Sequence, residues 1–549
     1  MRKMLLAGIA AATALAACND PLSVTNENVP DVQRAYSTPG GVEQVISTLY
    51  QAYHGGTVGN SNDNVENQTR VLSFENYASV ANFGMSARGA LPRGAIDNSR
   101  GQPIGGNLRE FSQLQTVVRT AANTIQAIGR LDSAGTPIAT PGRRLRARAF
   151  AFLVSGIAHG TTAMIYDSAT IIRPTTPAAE VPPFSGYRDV ATAGLALIDS
   201  AIAIANSADA VAAADFTLPN TWINGVTLDR QGMIRLARSW KARIRAGIAR
   251  TPAERNGAQT DWDAVIADAQ NGITADLVVT LNNSTGWDLA WTVQHYLFGG
   301  WSMMTPFIIG MADTTGRYQT WLQTPITQRD GFGQFLIVTP DTRFPRGATR
   351  PAQQANSPQG SALPPAGLYY RNRGTGSTGD TPGDPWGNSP YDFVRFQQLF
   401  TSQRNGPWPA FTKVELDMLQ AEGFIRRNRV AEAIPLINAS RTRNGLPAIP
   451  ATSDVNTIVP GGTGCVPQVP QGPNFTTVAC GNVLEALKWE KRMESAFTGY
   501  AQWYLDSRGW GDLAVNTPLQ WPVPFQELDA RALTIYQVTT AATRGTYGF

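Results

Sequence analysis

The sequence is short of the residues that metal sites and nucleophilic enzymes use. Its 549 residues include only three histidines, His54, His159 and His295, and only three cysteines. None of the histidines has the spacing of a zinc site such as HExxH, and the chain has no GxSxG nucleophile elbow. We therefore expect neither a bound metal nor a cofactor, and we do not favour an enzyme.

Charge and long apolar runs are scarce as well. Charged residues make up 16% of the chain and its formal net charge is +4, which falls to +2 once Arg2 and Lys3 are removed with the first 17 residues. This balance gives no electrostatic reason to expect nucleic-acid binding. Beyond the N-terminal segment, no stretch approaches the 18 apolar residues of a transmembrane helix, so we expect no membrane-spanning helix in the mature chain.

The N-terminus has the order of a bacterial lipoprotein signal. Arg2 and Lys3 precede a mostly apolar run from Met4 to Ala16, and Leu15-Ala16-Ala17-Cys18 fits a lipobox. We interpret residues 1–17 as a signal peptide and Cys18 as the lipidated residue, so that acyl chains anchor the protein to a membrane. The alternatives are an ordinary secretory signal with a chance cysteine, or a cytosolic protein with an apolar start.

Two cysteines remain in the mature chain, Cys465 and Cys480, within a segment rich in Pro and Gly. In an oxidising compartment a disulfide between them would stabilise this loop by about 3 kcal/mol. Two free buried thiols are the alternative.

Helical periodicity dominates the remainder. Apolar residues recur every three or four positions, the pattern of a helix with one buried face. The pattern predicts helices from Phe111 to about residue 131, over 145–157, over Tyr187–Ala205, over 233–248 and over Trp262–Ile273. We therefore expect a mainly α-helical fold.

A helix–turn–helix unit is predicted at about 411–444. The polar turn Arg426–Arg429 separates its two helices, and Asn444-Gly445 before Pro447 is typical of a helix end. Pro435 lies inside the second helix and indicates a kink or a different boundary.

A final long helix is predicted from about Val483 to Tyr504. Trp489, Met493 and Trp503 lie on one stripe of this helix. We expect the stripe to pack in the core rather than to contact a cofactor.

Long irregular connections separate these helices. Residues 54–109 are rich in Gly, Asn and Ser, and residues 339–390 have almost no apolar periodicity. Loops of this length usually form functional surfaces or are disordered.

Several segments, in this order, resemble the SusD/RagB family of outer-membrane nutrient-binding lipoproteins. The matching segments are the stretch after Cys18 that leads to 41–53, Ala122-Asn123, LRARAFAFL at 145–153, Ala421-Glu422-Gly423, 433–447, and Glu490–Glu494 with Gly499, Asp506 and Arg508. Together they cover about residues 15–510.

The resemblance implies a mainly α fold. Tetratricopeptide-like helix pairs would form a superhelical body, and a large loop-rich region would face the ligand. Residues 18–549 would form a single nutrient-binding domain. The family also implies an outer-membrane location on the cell surface and a SusC-like TonB-dependent transporter as partner.

Sugar binding in such a protein needs aromatic side chains on exposed loops, because the C–H faces of sugars stack on aromatic rings. Nearby amides and carboxylates bind the sugar hydroxyls. Trp287 and Trp291 are the first choice, since one helical turn could place both rings on one side. The aromatic candidates, with one amide neighbour, are Asn76, Tyr77, Trp287, Trp291, Tyr296 and Trp301, followed by Tyr369, Tyr370 and Trp386.

Three functions remain open at this point. The preferred one is capture of an oligomeric nutrient, in the first place a glycan, and its delivery to the transporter. The others are a helical-repeat scaffold for envelope proteins and a lipid-anchored glycosidase. We disfavour the glycosidase because its candidate acids lie on recognisable helices, where salt bridges are expected; these acids are Glu415, Glu422, Glu490 and Glu494.

Overall fold

The computed structural model describes residues 35–59, 65–77, 88–101, 107–289, 304–329, 335–374 and 389–549. The predicted signal peptide and Cys18 lie outside these described residues. Within the described ranges, no helix is both long enough and apolar enough to cross a lipid bilayer.

Helices provide most of the regular structure. They are α1 (Pro39–Thr57), α2 (Val65–Leu72), α3 (Leu108–Ser133), α4 (Pro141–Ile165), α5 (Tyr187–Ala205), α6 (Ala208–Ala212), α7 (Arg230–Gly247), α8 (Pro252–Asn256), α9 (Trp262–Gln270), α10 (Pro306–Ile309), α11 (Arg317–Gln323), α12 (Arg350–Ala355), α13 (Gln397–Thr401), α14 (Lys413–Arg426), α15 (Val430–Arg443), α16 (Val483–Ser495), α17 (Gln502–Trp510) and α18 (Phe525–Ala530).

The strands are short and form two-stranded antiparallel ladders. They are β1 (Ser168–Thr170) with β2 (Phe184–Gly186), β3 (Leu218–Ile223) with β4 (Val226–Leu228), β5 (Leu277–Leu281) with β8 (Gly406–Phe411), β6 (Tyr370–Asn372) with β7 (Tyr391–Phe393), and β9 (Gln468–Gln471) with β10 (Thr477–Cys480). The β5–β8 ladder joins segments more than a hundred residues apart.

Local sequence signals begin several of the long helices. At the first turns of α1, α4 and α14, the side-chain hydroxyls of Thr38, Thr140 and Thr412 respectively accept a hydrogen bond from a backbone N–H. Such caps satisfy one of the N–H groups that a helix start leaves without a partner. Proline at the first helical positions of α1 and α4 fits the same role, because its missing N–H is not needed there.

The long helices pack successively along the chain. Helix α4 packs against both α3 and α5, α7 packs against α5 and α9, and α9 packs against α14. Helix α14 then pairs with α15, while α16 packs beside both. The mainly α-helical fold built from successive helix pairs is therefore confirmed, including the pair predicted at 411–444, in which Pro435 is accommodated inside α15.

Two glycines lie where α4 and α5 approach each other closely. A Cβ atom at Gly156 of α4 would lie 2.5 Å from the carbonyl oxygen of Gly194, and one at Gly194 of α5 would lie 2.8 Å from that of Gly156. Neither distance is sterically possible, so the two backbones approach this closely only because both positions lack a side chain.

The predicted helix from Val483 to Tyr504 is wrong in its extent. Helix α16 ends at Ser495 and α17 starts at Gln502. Phe497, Gly499 and Ala501 between them have positive φ angles of 56°, 59° and 58°, which a continuous right-handed helix excludes. The predicted core packing is confirmed, because Trp489, Met493 and Trp503 are buried.

The predicted loops contain more structure than their composition suggests. Helix α1 extends to Thr57 and α2 lies within 54–109, while α12 and β6 lie within 339–390. Helix α2 has no apolar periodicity because the side chains that it buries are polar. Glu66, Asn67, Gln68, Thr69 and Arg70 are each at most 2% exposed. Its Arg70 bonds Glu66 at 2.5 Å and Glu75 at 2.7 Å.

Cys465 and Cys480 are joined by a disulfide with their Cα atoms 5.7 Å apart. The bond connects the segment just before β9 to the end of β10. Cys465 belongs to a small hydrophobic cluster formed mainly by α14, α15 and α16, which is separate from the larger core.

Candidate functional site

The described members of the predicted ligand set are buried. Asn76, Tyr77 and Trp287 are 2%, 8% and 4% exposed. The Trp287 ring stacks on Tyr50 with centroids 6.4 Å apart and lies 5.2 Å from the ring of His54. In this structure Trp287 thus packs in the core, and Asn76 and Tyr77 are buried as well.

The other members of that set, Trp291, Tyr296 and Trp301, lie outside the described residues, as does Trp386. Their role in ligand binding stays a prediction. The structure therefore does not bring Trp287 and Trp291 together as a described pair.

The two tyrosines of the 339–390 segment have different surroundings. Tyr370 is fully buried and stacks on Phe344 with centroids 4.4 Å apart. Tyr369 lies at the edge of an open groove, and its hydroxyl donates to Glu494 Oε2 at 2.9 Å. Of the two, Tyr369 is placed to take part in a surface site.

Glu494, at the end of α16, is the centre of a hydrogen-bonded cluster beneath this groove. Its Oε1 accepts from Asn444 Nδ2 at 2.9 Å and from Arg343 Nη1 at 3.3 Å. Its Oε2 accepts from Tyr369 and lies 3.1 Å from Arg443 Nη2 and 3.9 Å from Arg395 Nη2. Side chains from four segments of the chain thus converge on one carboxylate.

The charge state of Glu494 follows from this arrangement. Burial alone would raise the pKa of its carboxyl, but Arg343, Arg395 and Arg443 outweigh burial and lower the pKa to about 2. Burial and the neighbouring Glu494 raise the pKa of Tyr369 to about 12, so its hydroxyl keeps its proton and donates. Near neutral pH, neither Glu494 nor Tyr369 therefore changes its protonation state.

The groove above Glu494 has a volume of 610 Å³ and is called here the Arg395 groove. It lies between the 363–369 segment, α13 and the end of α15. Its lining consists of Thr342, Leu363, Pro364, Pro365, Ala366, Gly367, Leu368, Tyr369, Arg395, Gln398, Arg443 and Asn444.

Arginine defines the polar side of the Arg395 groove. The Arg395 guanidinium lies 4.5 Å from the Tyr369 ring centroid and donates from Nη1 to the backbone oxygen of Glu494 at 2.7 Å. Stacking and hydrogen bonding together fix its plane. Arg443 is 52% exposed, so most of its five N–H donors face solvent.

The lining of the Arg395 groove is suited to binding. It combines guanidinium, amide, hydroxyl and apolar groups. Within the described ranges, no His, Cys, Asp and Glu side chains are grouped so that they could hold a metal ion.

Sequence reasoning identified only part of this site. Tyr369 was a candidate because of its loop, and Arg443 and Asn444 lie in a segment noted for its family resemblance. Arg395 and Gln398 had no signal. The role of Arg395 depends on Glu494, which is about a hundred residues away in the chain.

The four helical glutamates are structural. Glu415 pairs with Arg243 at 2.6 Å, Glu422 with Arg255 at 2.7 Å, and both Glu490 and Glu494 with Arg343. All four are at most 2% exposed. The ion pairing predicted for them is therefore confirmed.

A second concavity of 880 Å³, called here the helical groove, lies on α4 and α5 beside the 171–185 segment. Phe152, Ile171 and Leu197 contribute apolar surface, while Arg148 and Arg173 contribute exposed charge. It is an open surface on the helical side of the molecule.

No protein-family model matches the sequence, and no curated protein matches it. Solved structures do match its fold. A SusD superfamily protein from Bacteroides thetaiotaomicron VPI-5482 gives a TM-score of 0.53 at 13% identity over 91% of this chain and 98% of that chain. Another from the same organism gives 0.52 at 10% identity over 91% and 99%.

A SusD superfamily protein from Bacteroides vulgatus ATCC 8482 gives a TM-score of 0.51 at 12% identity, over 90% of both chains. Identities this low establish a common fold and nothing finer. The chain thus has the fold of the SusD superfamily, which confirms at the level of the fold the resemblance predicted from its sequence.

Proposed function

We propose that the protein is a SusD-type nutrient-binding lipoprotein of the outer membrane. It would be anchored through Cys18, capture an oligomeric nutrient, in the first place a glycan, at the cell surface, and deliver it to a SusC-like TonB-dependent transporter. The observation that supports the proposal most is the fold shared with SusD superfamily proteins over about nine-tenths of both chains.

The Arg395 groove supports a binding role rather than a chemical one. Its volume of 610 Å³ lies within the usual range for ligand sites, and an aromatic edge, amides and guanidinium groups meet there. The Glu494 carboxyl beneath it is held ionised by three arginines and cannot serve as a general acid at neutral pH.

The transporter partnership can be tested by purification from native membranes. The full-length tagged protein, solubilised in mild detergent, should co-purify with a TonB-dependent transporter identified by mass spectrometry. A Cys18→Ser variant with an otherwise intact signal should lose both lipid labelling and the transporter. Recovery of the wild type as an unacylated protein, without any transporter, would reject the proposal.

Ligand capture needs a separate test. Titration calorimetry of the full-length protein against a panel of oligosaccharides should give saturable binding without release of shorter products. Hydrolysis of the bound oligosaccharide would instead favour the glycosidase.

A second candidate function is a scaffold for envelope proteins, and the helical groove favours it. Its volume of 880 Å³ and its position on a helix pair suit a protein partner. Ala196→Arg would fill this groove, whereas Ala355→Arg on α12 places the same side chain elsewhere on the surface. If Ala196→Arg alone removes a co-purifying protein that is not a transporter, the scaffold is favoured.

A further inference from the structure

The Arg395 groove has an excess of positive charge. Beneath and beside it, Arg343, Arg395, Arg441 and Arg443 face three carboxylates, those of Asp341, Glu490 and Glu494. Among the residues that the structure describes, none that lines the groove itself has an acidic side chain. The surplus charge therefore lies where a ligand would enter.

The single carboxylate of Glu494 does not neutralise the positive charge of both Arg395 and Arg443. It already accepts hydrogen bonds from Arg343, Asn444 and Tyr369, and Arg395 lies 3.9 Å from it. Arg443 contacts Glu494 through Nη2 only, which leaves its other donors for a ligand. Arg395 and Arg443 thus share with Arg343 a single acceptor that is close to saturated.

Neutral partners stand beside the two arginines. Gln398 on α13 is half-buried and lines the groove, as does Thr342. Leu363, 57% exposed, and Pro364 form an apolar wall. A ligand that fits would carry a negative group for the arginines, hydroxyls for the amide and hydroxyl groups, and an apolar face for the wall.

We propose that the Arg395 groove binds an acidic sugar unit, a saccharide with a carboxylate or sulfate group held between Arg395 and Arg443. The inference rests on the proposed function and narrows its ligand class from glycans in general to anionic glycans. Guanidinium groups suit planar or tetrahedral oxyanions because they donate paired hydrogen bonds. The stacking of Arg395 on Tyr369 fixes one of the two donors in advance, which lowers the entropic cost of binding.

The test uses matched acidic and neutral oligosaccharides with full-length protein purified from membranes in detergent. One pair is trigalacturonate and its methyl ester, and the other is a sulfated galactan oligosaccharide and its desulfated form. Calorimetry should show at least tenfold tighter binding of the acidic member in one or both pairs at 50 mM NaCl. The difference should shrink at 300 mM NaCl, because salt screens the charge.

Variants locate the effect. Arg443→Gln should weaken binding of the acidic member at least tenfold and leave the neutral member unchanged. Arg429→Gln is the matched control, since Arg429 is similarly exposed, lies at the other end of α15 and forms an exposed ion pair with Glu432. Gln398→Ala provides a second probe that breaks no ion pair, with an expected loss of three- to tenfold.

Each outcome decides the inference. Preference for the carboxylated or for the sulfated member supports it and identifies the anion. Equal affinity for acidic and neutral members, or an Arg443→Gln variant that binds like the wild type, overturns it while glycan capture stands. Failure of every acidic oligosaccharide to bind also overturns it, and the proposed function is then judged independently on the transporter co-purification.

Discussion

Two regions of this molecule bury carboxyl groups equally deeply and give them opposite properties. Around α2, burial raises the pKa of Glu75 to about 7 and that of Glu110 to about 8, despite the partial offset from Arg70 and Arg109. Around α16 and α17, burial acts in the same direction on Glu422 and Glu494, yet arginines lower both pKa values, that of Glu494 to about 2.

The difference is in how many cations other segments supply. Glu494 faces three arginines and Glu422 contacts Arg255 and Arg426. Glu110 forms no ion pair among the described residues, and its Oε1 accepts instead from the backbone N–H of Val65 at 2.6 Å. Burial disfavours the ionised carboxylate and raises its pKa. The number of neighbouring guanidinium groups decides whether their attraction outweighs this effect.

The largest expected effect on stability comes from a substitution in the arginine-rich region around α16 and α17. Glu422→Ala would leave the buried Arg255 without its main acceptor and Trp510 Nε1 without a partner. The free energy of unfolding in urea at pH 7 should fall by about 3–5 kcal/mol. Glu432→Ala, which breaks the exposed pair with Arg429 on the next helix, should leave stability unchanged. Equal losses in the two variants would contradict this account.

The same C-terminal region also has a covalent connection that the α2 region lacks among its described residues. Replacing both Cys465 and Cys480 with serine opens a loop with a sequence separation of 15. The expected loss of stability is about 3 kcal/mol. Reduction of the wild type should reproduce it, and a midpoint that reduction does not shift would contradict it.

In the region around α2, removal of a carboxyl charge should increase stability rather than lower it. The native state holds the Glu110 proton up to about pH 8, whereas the unfolded chain releases it near pH 4.5, so stability falls as the pH rises between these values. Glu110→Gln keeps the acceptor for Val65 and removes the charge. It should stabilise the protein by about 1–3 kcal/mol at pH 8.

This gain should vanish at pH 4.5 and below, where both states hold the proton. Urea titrations at pH 4.5, 6 and 8 give the profile. A gain of the same size at every pH would show that Glu110 is not the titrating group.

The smallest expected effect is on stability at low pH, through the ionisation of Glu494. Its native pKa is depressed, so its contribution to stability is present above about pH 4.5 and is lost as the pH falls towards 2. Arg443→Gln removes one of three cations from a half-exposed position and should cost less than about 1 kcal/mol at pH 7. Acid unfolding should shift to higher pH, and an unchanged acid midpoint would assign the depression to Arg343 and Arg395 alone.

The elements that local sequence specifies were predictable. The apolar spacing over 187–205 predicted a helix with both ends where the structure has them, and the helix pair at 411–444 was found from its turn and its glycine cap. Such signals need only a few neighbouring residues. The break at 496–501 was missed because apolar spacing continues through it while the backbone reverses its handedness.

The candidate site was harder to predict for a different reason. Its polar groups meet across long separations: Arg343 lies 147 residues from Glu490, and Arg395 lies 99 residues from Glu494. A single sequence contains no record of such pairings. Helix α2 was missed for a related reason, because buried polar residues look like an exposed loop when their partners are unknown.

The contact between Gly156 and Gly194 has a consequence for how this fold can change over time. Most packing faults can be repaired by a smaller residue on the opposite side, but here both sides are already at the minimum size that the genetic code allows. An alanine at either position therefore has no compensating substitution at the other, and only a wider spacing of the whole helix pair could accommodate it. Both positions should therefore remain glycine as long as α4 and α5 keep this spacing.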